Sequence, residues 1–172
     1  GMDTSVLLPS PWVVRWSARL RPAAQVLDLA AGSGRHARWL AAQGHRVLAV
    51  DRDREALALL RSVPGVEGLE ADLESGPWPF AGARFDGIVV TCYLHRPLFP
   101  LIEAALAPGG VLIYETFMAG NEAFGRPRRA EFLLERNELL AAFPQLVVLA
   151  FSQGYRALPQ PAMMQCITAY LP

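Results

Sequence analysis

The sequence predicts an α/β fold in which a doubly wound, mostly parallel sheet is covered by helices on both faces. Three observations lead there. Seven short apolar runs, often β-branched, recur along the chain. They are mostly continuous rather than alternating, as strands buried on both faces are. Between them lie stretches with apolar residues at three- and four-residue spacing, the period of a helix face. Strand and helix in alternation imply right-handed crossovers and helices on both sides of one sheet.

The elements follow in chain order. Ser10 before Pro11 is a helix start, a side-chain cap followed by a residue that needs no N–H, and Trp12 and Trp16 share a face one turn apart as core packing. Strands are expected over residues 25–30, 46–50, 66–71, 85–91, 111–117, 146–151 and 164–171. Helices are expected over 35–42, 53–61, 98–106 and 132–143. The link from Asp72 to Arg84 is too rich in Pro and Gly for a helix, so one crossover is a loop.

Composition sets the class. With 172 residues, 52% hydrophobic and 19% charged, the chain can bury one sizeable core, and a single domain over 1–172 is expected. Lys plus Arg equals Asp plus Glu at 16 each, so no overall field draws the protein to nucleic acid or anionic lipid. A small molecule is the expected partner, with no nucleic acid and no membrane. Cys92 and Cys166 lack metal-ligand spacing, so no metal site is expected. Two cysteines and no leader-like start suggest the cytoplasm. Gly1 before Met2 reads as a cloning remnant and is left out of the fold reasoning.

Chemistry concentrates between Val26 and Asp53. Gly32 and Gly34 follow the first strand and allow backbone angles and close approach that a Cβ forbids, while Arg35 opens a helix whose free N–H groups can face a ligand. Asp51 ends the next strand, where its carboxylate can accept both hydroxyls of a ribose. The segment Gly32-Ser33-Gly34-Arg35-His36-Ala37 also fits the dinucleotide fingerprint, which keeps a nicotinamide cofactor and an oxidoreductase in view. Against that, Asp28 precedes the first glycine by four residues. An acid there opposes a pyrophosphate and suits a ligand carrying an ammonium and a sulfonium. A dehydrogenase would also need room for a substrate domain, which seven strands in 172 residues do not leave.

On these residues the chain resembles the class I S-adenosylmethionine-dependent methyltransferases. Asp28 to Gly34 matches the family's first motif, Asp51 its ribose acid, and Ala71-Asp72-Leu73 its adenine contact. Phe85 to Val90 and Leu106 to Leu112 match the fourth strand and the approach to the fifth. The resemblance implies a Rossmann-like, three-layer αβα fold, strand order 3-2-1-4-5-7-6, last strand antiparallel. It also implies S-adenosylmethionine as methyl donor, S-adenosylhomocysteine as product, and a monomer or homodimer. By the same resemblance Asp28, Ala30, Gly32, Gly34, Arg35, Asp51, Arg52, Asp72, Leu73 and Thr91 hold the cofactor. Within the family, Tyr93-Leu94-His95-Arg96-Pro97-Leu98, Gly120 to Gly125 and Phe132-Leu133-Leu134 resemble the small bacterial tellurite-resistance methyltransferase group.

Methyl transfer needs alignment and water exclusion more than a strong base, since orientation alone supplies roughly 7–11 kcal/mol. Catalytic candidates therefore sit where the sheet order reverses, beside the first and fourth strands. Tyr93 is placed to wall the transfer zone and His95 to take a proton. Arg96, Glu115 and Arg126 are the candidate substrate contacts, each set against a structural role in a helix entry, a salt bridge or a solvated loop. His36 and His45 read as surface residues, and Cys92 as a small buried side chain. Residues 119–129 read as a lid over the acceptor, hinged at Gly120 and Gly125, whose Arg126, Arg128 and Arg129 favour an anionic acceptor. A noncatalytic S-adenosylmethionine-binding sensor or partner subunit, with the same aspartates, is the alternative function.

Overall fold

The protein is described from a computed structural model over residues 8–172; Gly1, the expected cloning remnant, lies outside the described residues. Seven strands form one sheet: β1 Gln25–Leu29, β2 Arg46–Asp51, β3 Val66–Glu70, β4 Phe85–Thr91, β5 Leu106–Phe117, β6 Val147–Arg156 and β7 Ala162–Tyr170. Their order is β3-β2-β1-β4-β5-β7-β6. Pairs from β3 through β5 are parallel, and β7 runs antiparallel to both β5 and β6.

Residue alternation divides the core in two. Leu27 and Leu29 of β1, Ile88 and Val90 of β4, and Leu112 and Tyr114 of β5 face one layer. It is closed by Phe99 and Ile102 of α4 (Phe99–Ala104) and Leu139 of α5 (Glu138–Ala142). Val26, Val89, Val111 and Ile113 face the other. Val13 of α1 (Pro11–Ser17), Leu40 of α2 (Arg35–Ala42) and Leu57 of α3 (Arg54–Ala58) pack there. Ser10 caps α1 as its side chain accepts from the backbone N–H of Trp12 and Val13. Trp12 and Trp16 stack with ring centres 5.9 Å apart. No described helix is long and apolar enough to cross a membrane.

Several expected boundaries move. The helix expected over 98–106 is a 3₁₀ turn, Arg96–Leu98, then α4, because Leu106 already pairs with Phe85 in the sheet; β5 therefore starts five residues before Val111. The helix expected over 132–143 survives only as α5. Leu134 leaves it to bridge Met118, and Asn137 takes a left-handed φ of 65° that no continuous helix allows. The run over 53–61 keeps its helix only over α3, capped by Asp53. β6 is longer than expected, and the strands β3 and β6 at the two edges of the sheet are exposed or half-buried rather than buried on both faces. Asp72 to Arg84 is a loop, as its prolines and glycines predict.

Two corrections concern histidines. His36 and His45 are buried, not on the surface. Each ring nitrogen accepts a backbone N–H that would otherwise be buried unpaired: Ser10 N–H on His36 Nε2 at 3.0 Å, and Ala24 N–H on His45 Nδ1 at 3.0 Å.

Candidate functional site

The neighbours β1 and β4 send their following connections to opposite faces, to α2 and α4, which opens a crevice at their carboxyl ends. Two cavities lie along this edge. The first, about 360 Å³, is lined by Ala30, Asp51, Arg52, Asp72, Leu73 and Tyr93 among others.

The turn after β1 is shaped for a backbone approach. Ala30 takes φ 60°, a left-handed angle uncommon for a residue with a side chain, and Gly32 takes φ 58° with open space where a Cβ would point. Gly34 caps α2 at φ 85°, and a Cβ there would stand 2.4 Å from Leu60. Close packing of α2 against Leu60 thus requires the glycine.

Each acid has a distinct state. Asp51 is pre-set, its two oxygens accepting the N–H groups of Gly32 and Asp53 at 2.9 Å each. A carboxylate oxygen has two lone pairs, so both retain capacity for a ligand's hydroxyls. Asp72 caps its own turn, accepting the Ser75 hydroxyl at 2.5 Å and the N–H groups of Glu74 and Ser75, which holds its carboxyl below the usual range. Asp28 is 1% exposed, and neither oxygen has a hydrogen-bond partner of ordinary geometry among the described residues. Burial pushes its carboxyl up to about 7, against the opposing pull of the Ala37 N–H and the Arg35 charge. An orphaned buried carboxylate is a place for a cation.

The other expected residues separate. Leu73, Arg52 and Tyr93 line the first cavity; Thr91 does not, and instead bonds His36 Nδ1 through its hydroxyl at 3.2 Å. The Tyr93 hydroxyl donates to Glu74 at 3.3 Å, and burial, with Glu74 and Asp72 nearby, keeps it a phenol. His95 sits outside the lining of both cavities with Nδ1 3.6 Å from Glu74. Arg96 is also outside both. Its guanidinium grips Glu138 in a fork at 2.7 and 2.9 Å and donates to the Leu133 carbonyl, so its donors are spent holding α5 to the end of β4.

The second cavity, about 680 Å³, takes the Arg35, Glu115 and Arg126 side chains. Glu115, 3% exposed, accepts the Ser10 hydroxyl and pairs with Arg156. Of the three loop arginines only Arg126 lines it; Arg129 pairs with Glu131. Residues 119–129 are anchored at Asn121, whose amide donates to the Pro127 carbonyl and accepts from Met163 N–H, both at 3.0 Å. Cys92 is exposed, not buried as expected: it turns at φ 53° where the chain leaves β4, and it and Phe117 line both cavities.

Sequence reasoning missed Glu74, Thr116, Phe117, Phe132 and Arg156. Phe117 and Thr116 at the end of β5 were findable, since ligands gather at strand carboxyl ends. Arg156 had no local signal, because only the antiparallel β6 to β7 return brings it beside Glu115.

Residues 26–110 match the family model of the methyltransferase domain. Among curated proteins the chain is similar to a protein-L-isoaspartate O-methyltransferase of Chlorobaculum tepidum, 36% identical over 96 residues. That match covers 54% of this chain and 44% of the relative, so the chain spans less than half of that relative's length. The structure of TehB from Haemophilus influenzae shares the fold with a TM-score of 0.79 at 18% identity, covering 95% of this chain and 63% of that one. The glycopeptide N-methyltransferase MtfA, solved with S-adenosylhomocysteine, superimposes with a TM-score of 0.66 at 17% identity, covering 99% of this chain and 91% of the other.

Proposed function

We propose that this chain, whose residues 26–110 match the methyltransferase-domain model, is a class I S-adenosylmethionine-dependent methyltransferase that methylates a small-molecule acceptor by in-line displacement. The observation that supports the reading most directly is Asp51, held by Gly32 and Asp53 N–H groups at the wall of the first cavity, with the orphaned Asp28 carboxylate buried nearby but outside the lining of both cavities. These two groups, with Asp72, fit a ligand bearing vicinal hydroxyls, an exocyclic amine and a cation.

When bound, S-adenosylmethionine would supply an electrophilic methyl on its sulfonium for transfer to the acceptor's nucleophile, with S-adenosylhomocysteine as the leaving product. The chain's own residues orient and dry the site. Asp51 would hold the ribose, Asp72 and Leu73 the adenine and Asp28 the ammonium, with Ala30, Gly32 and Gly34 letting the backbone come close. Tyr93 and Phe132 wall the cavity and exclude water. The acceptor's proton goes to solvent, and His95 acts as a positioning residue through Glu74, which also receives the Tyr93 hydroxyl. The proposed compartment is the cytoplasm, in keeping with two free thiols.

The test is release of S-adenosylhomocysteine with a broad library of small acceptors, alongside calorimetry with S-adenosylmethionine. Turnover with one compound class supports the enzyme. Binding without turnover across the library leaves a cofactor-binding sensor, and no binding overturns the reading.

A further inference from the structure

We propose that the second cavity binds the methyl acceptor and selects an organic anion with an apolar body, its charge held by Arg126 and Arg35. The inference rests on the methyltransferase reading and adds the acceptor's chemical class and place.

The charges carry it first. The first cavity presents Asp51, Asp72 and Glu74 against Arg52. The second presents Arg35, Arg126 and Arg156 against Glu115. In a chain with equal numbers of acids and bases this is a segregation of charge, not a background excess. Arg156 is neutralised by its ion pair with Glu115. Among the described residues Arg126 makes no hydrogen bond or ion pair, and Arg35 donates to the Leu8 carbonyl at 3.2 Å, interacts with the Cys92 thiol and is near buried Asp28, but forms no ion pair. Two guanidiniums facing one cavity, neither in an ion pair among the described residues, favour an anion, and Arg matches a carboxylate's two oxygens with two parallel donors.

Size and lining favour an organic body over a bare inorganic oxyanion. A cavity of about 680 Å³ falls in the range that holds drug-sized molecules. Its remaining wall is largely apolar, with Phe117, Phe124, Leu158 and Met164. Phe124 packs against Tyr155 at a 45° tilt with ring centres 5.2 Å apart and keeps 46% of its surface exposed, so aromatic surface is available to an incoming body.

Position completes the argument. Cys92 and Phe117 belong to both linings, so a molecule in the second cavity meets the first at the end of β4. That is where the proposed methyl donor would end. A cationic donor in the acidic cavity and an anionic acceptor in the basic one are each complemented.

The experiment titrates a panel of aryl carboxylates and their matched primary amides, by calorimetry, into the protein alone and saturated with S-adenosylhomocysteine. At least one carboxylate is expected to bind the loaded protein tenfold or more tightly than its amide, and to weaken as salt rises. Arg126→Gln should remove that preference while leaving S-adenosylhomocysteine affinity within twofold, and Arg126→Lys should restore part of it. Equal affinity for carboxylate and amide, or no carboxylate binding while S-adenosylhomocysteine binds, overturns the inference and leaves the methyltransferase reading standing. Carboxylate binding that depends on Arg126 in a protein that does not bind S-adenosylhomocysteine sinks the methyltransferase reading, and with it the acceptor role, while the anion site remains.

Discussion

The two cavities share Cys92 and Phe117 but are built differently. The first is assembled from consecutive strand ends, β1 to β4, each contributing a residue at or just after its last position. The second draws on the start of α1, the end of β5, the loop around Phe124 and the return between β6 and β7. The matched family span, residues 26–110, contains the acids of the first cavity but only Arg35 and Cys92 from the second. On the proposed function, cofactor handling would belong to the common part of the fold, and acceptor choice to its flanks.

The largest expected effect breaks the second cavity's wall. Glu115→Ala strands Arg156 and the Ser10 hydroxyl, and removing one partner of a buried ion pair costs about 3–5 kcal/mol. Chemical denaturation should show that loss, with S-adenosylhomocysteine affinity little changed in the protein that remains folded.

A smaller effect, specific to the first cavity, is pH-dependent. Asp28 holds its proton up to about pH 7 when folded and releases it near 4 when unfolded. The folded chain thus binds more protons across that window, so the stability it contributes is complete below about pH 4 and lost as pH rises through about 7. Asp28→Asn should flatten this dependence and stabilise the ligand-free protein at pH 8 by on the order of 2–4 kcal/mol, read from thermal melts across pH. In the wild type, S-adenosylhomocysteine affinity should rise from pH 6 to 7.5 as the carboxylate ionises toward its ammonium.

Next comes Asp51→Ala, which removes charge-assisted bonds to the ribose of about 1.5–3 kcal/mol, so cofactor affinity should fall at least tenfold. Aryl carboxylate affinity for the unloaded protein should not move. An equal fall in both would mean that the two cavities are one site.

The smallest effect concerns His95. With its ring on Glu74 and outside both linings, His95→Ala should change turnover by less than about threefold and leave the shape of the pH profile unchanged. A large loss that shrinks at high pH would restore it as a general base.

The same contrast explains what was legible in the sequence. Strand order came with the family resemblance, while the first cavity could be read because glycines and acids at strand ends are local signals: Gly34 packs against Leu60 at a positive φ, and Asp51 ends β2 where it reaches Gly32 N–H. The second cavity could not, since Arg156 reaches Glu115 only through long-range pairing, and Arg96 looked like a ligand contact until Glu138 arrived from 42 residues away. Helices failed where tertiary pairing overrode periodicity, as at Leu134 and Leu106. Buried His36 and His45 were misread because no sequence pattern states which backbone N–H lacks a partner.

His36 has a use beyond packing. The Ser10 N–H can only donate, so Nε2 must be bare and the ring's single proton sits on Nδ1, directed at the Thr91 hydroxyl. Burial, helped by the Arg35 charge, lowers its titration to about 3, which fixes one tautomer throughout the working pH range. In a ¹⁵N-labelled sample the two ring nitrogens should give well-separated resonances that do not titrate. Thr91 stands directly before Cys92, so a change at those resonances when a small molecule is added would report occupancy at the junction of the cavities, without any assay of turnover.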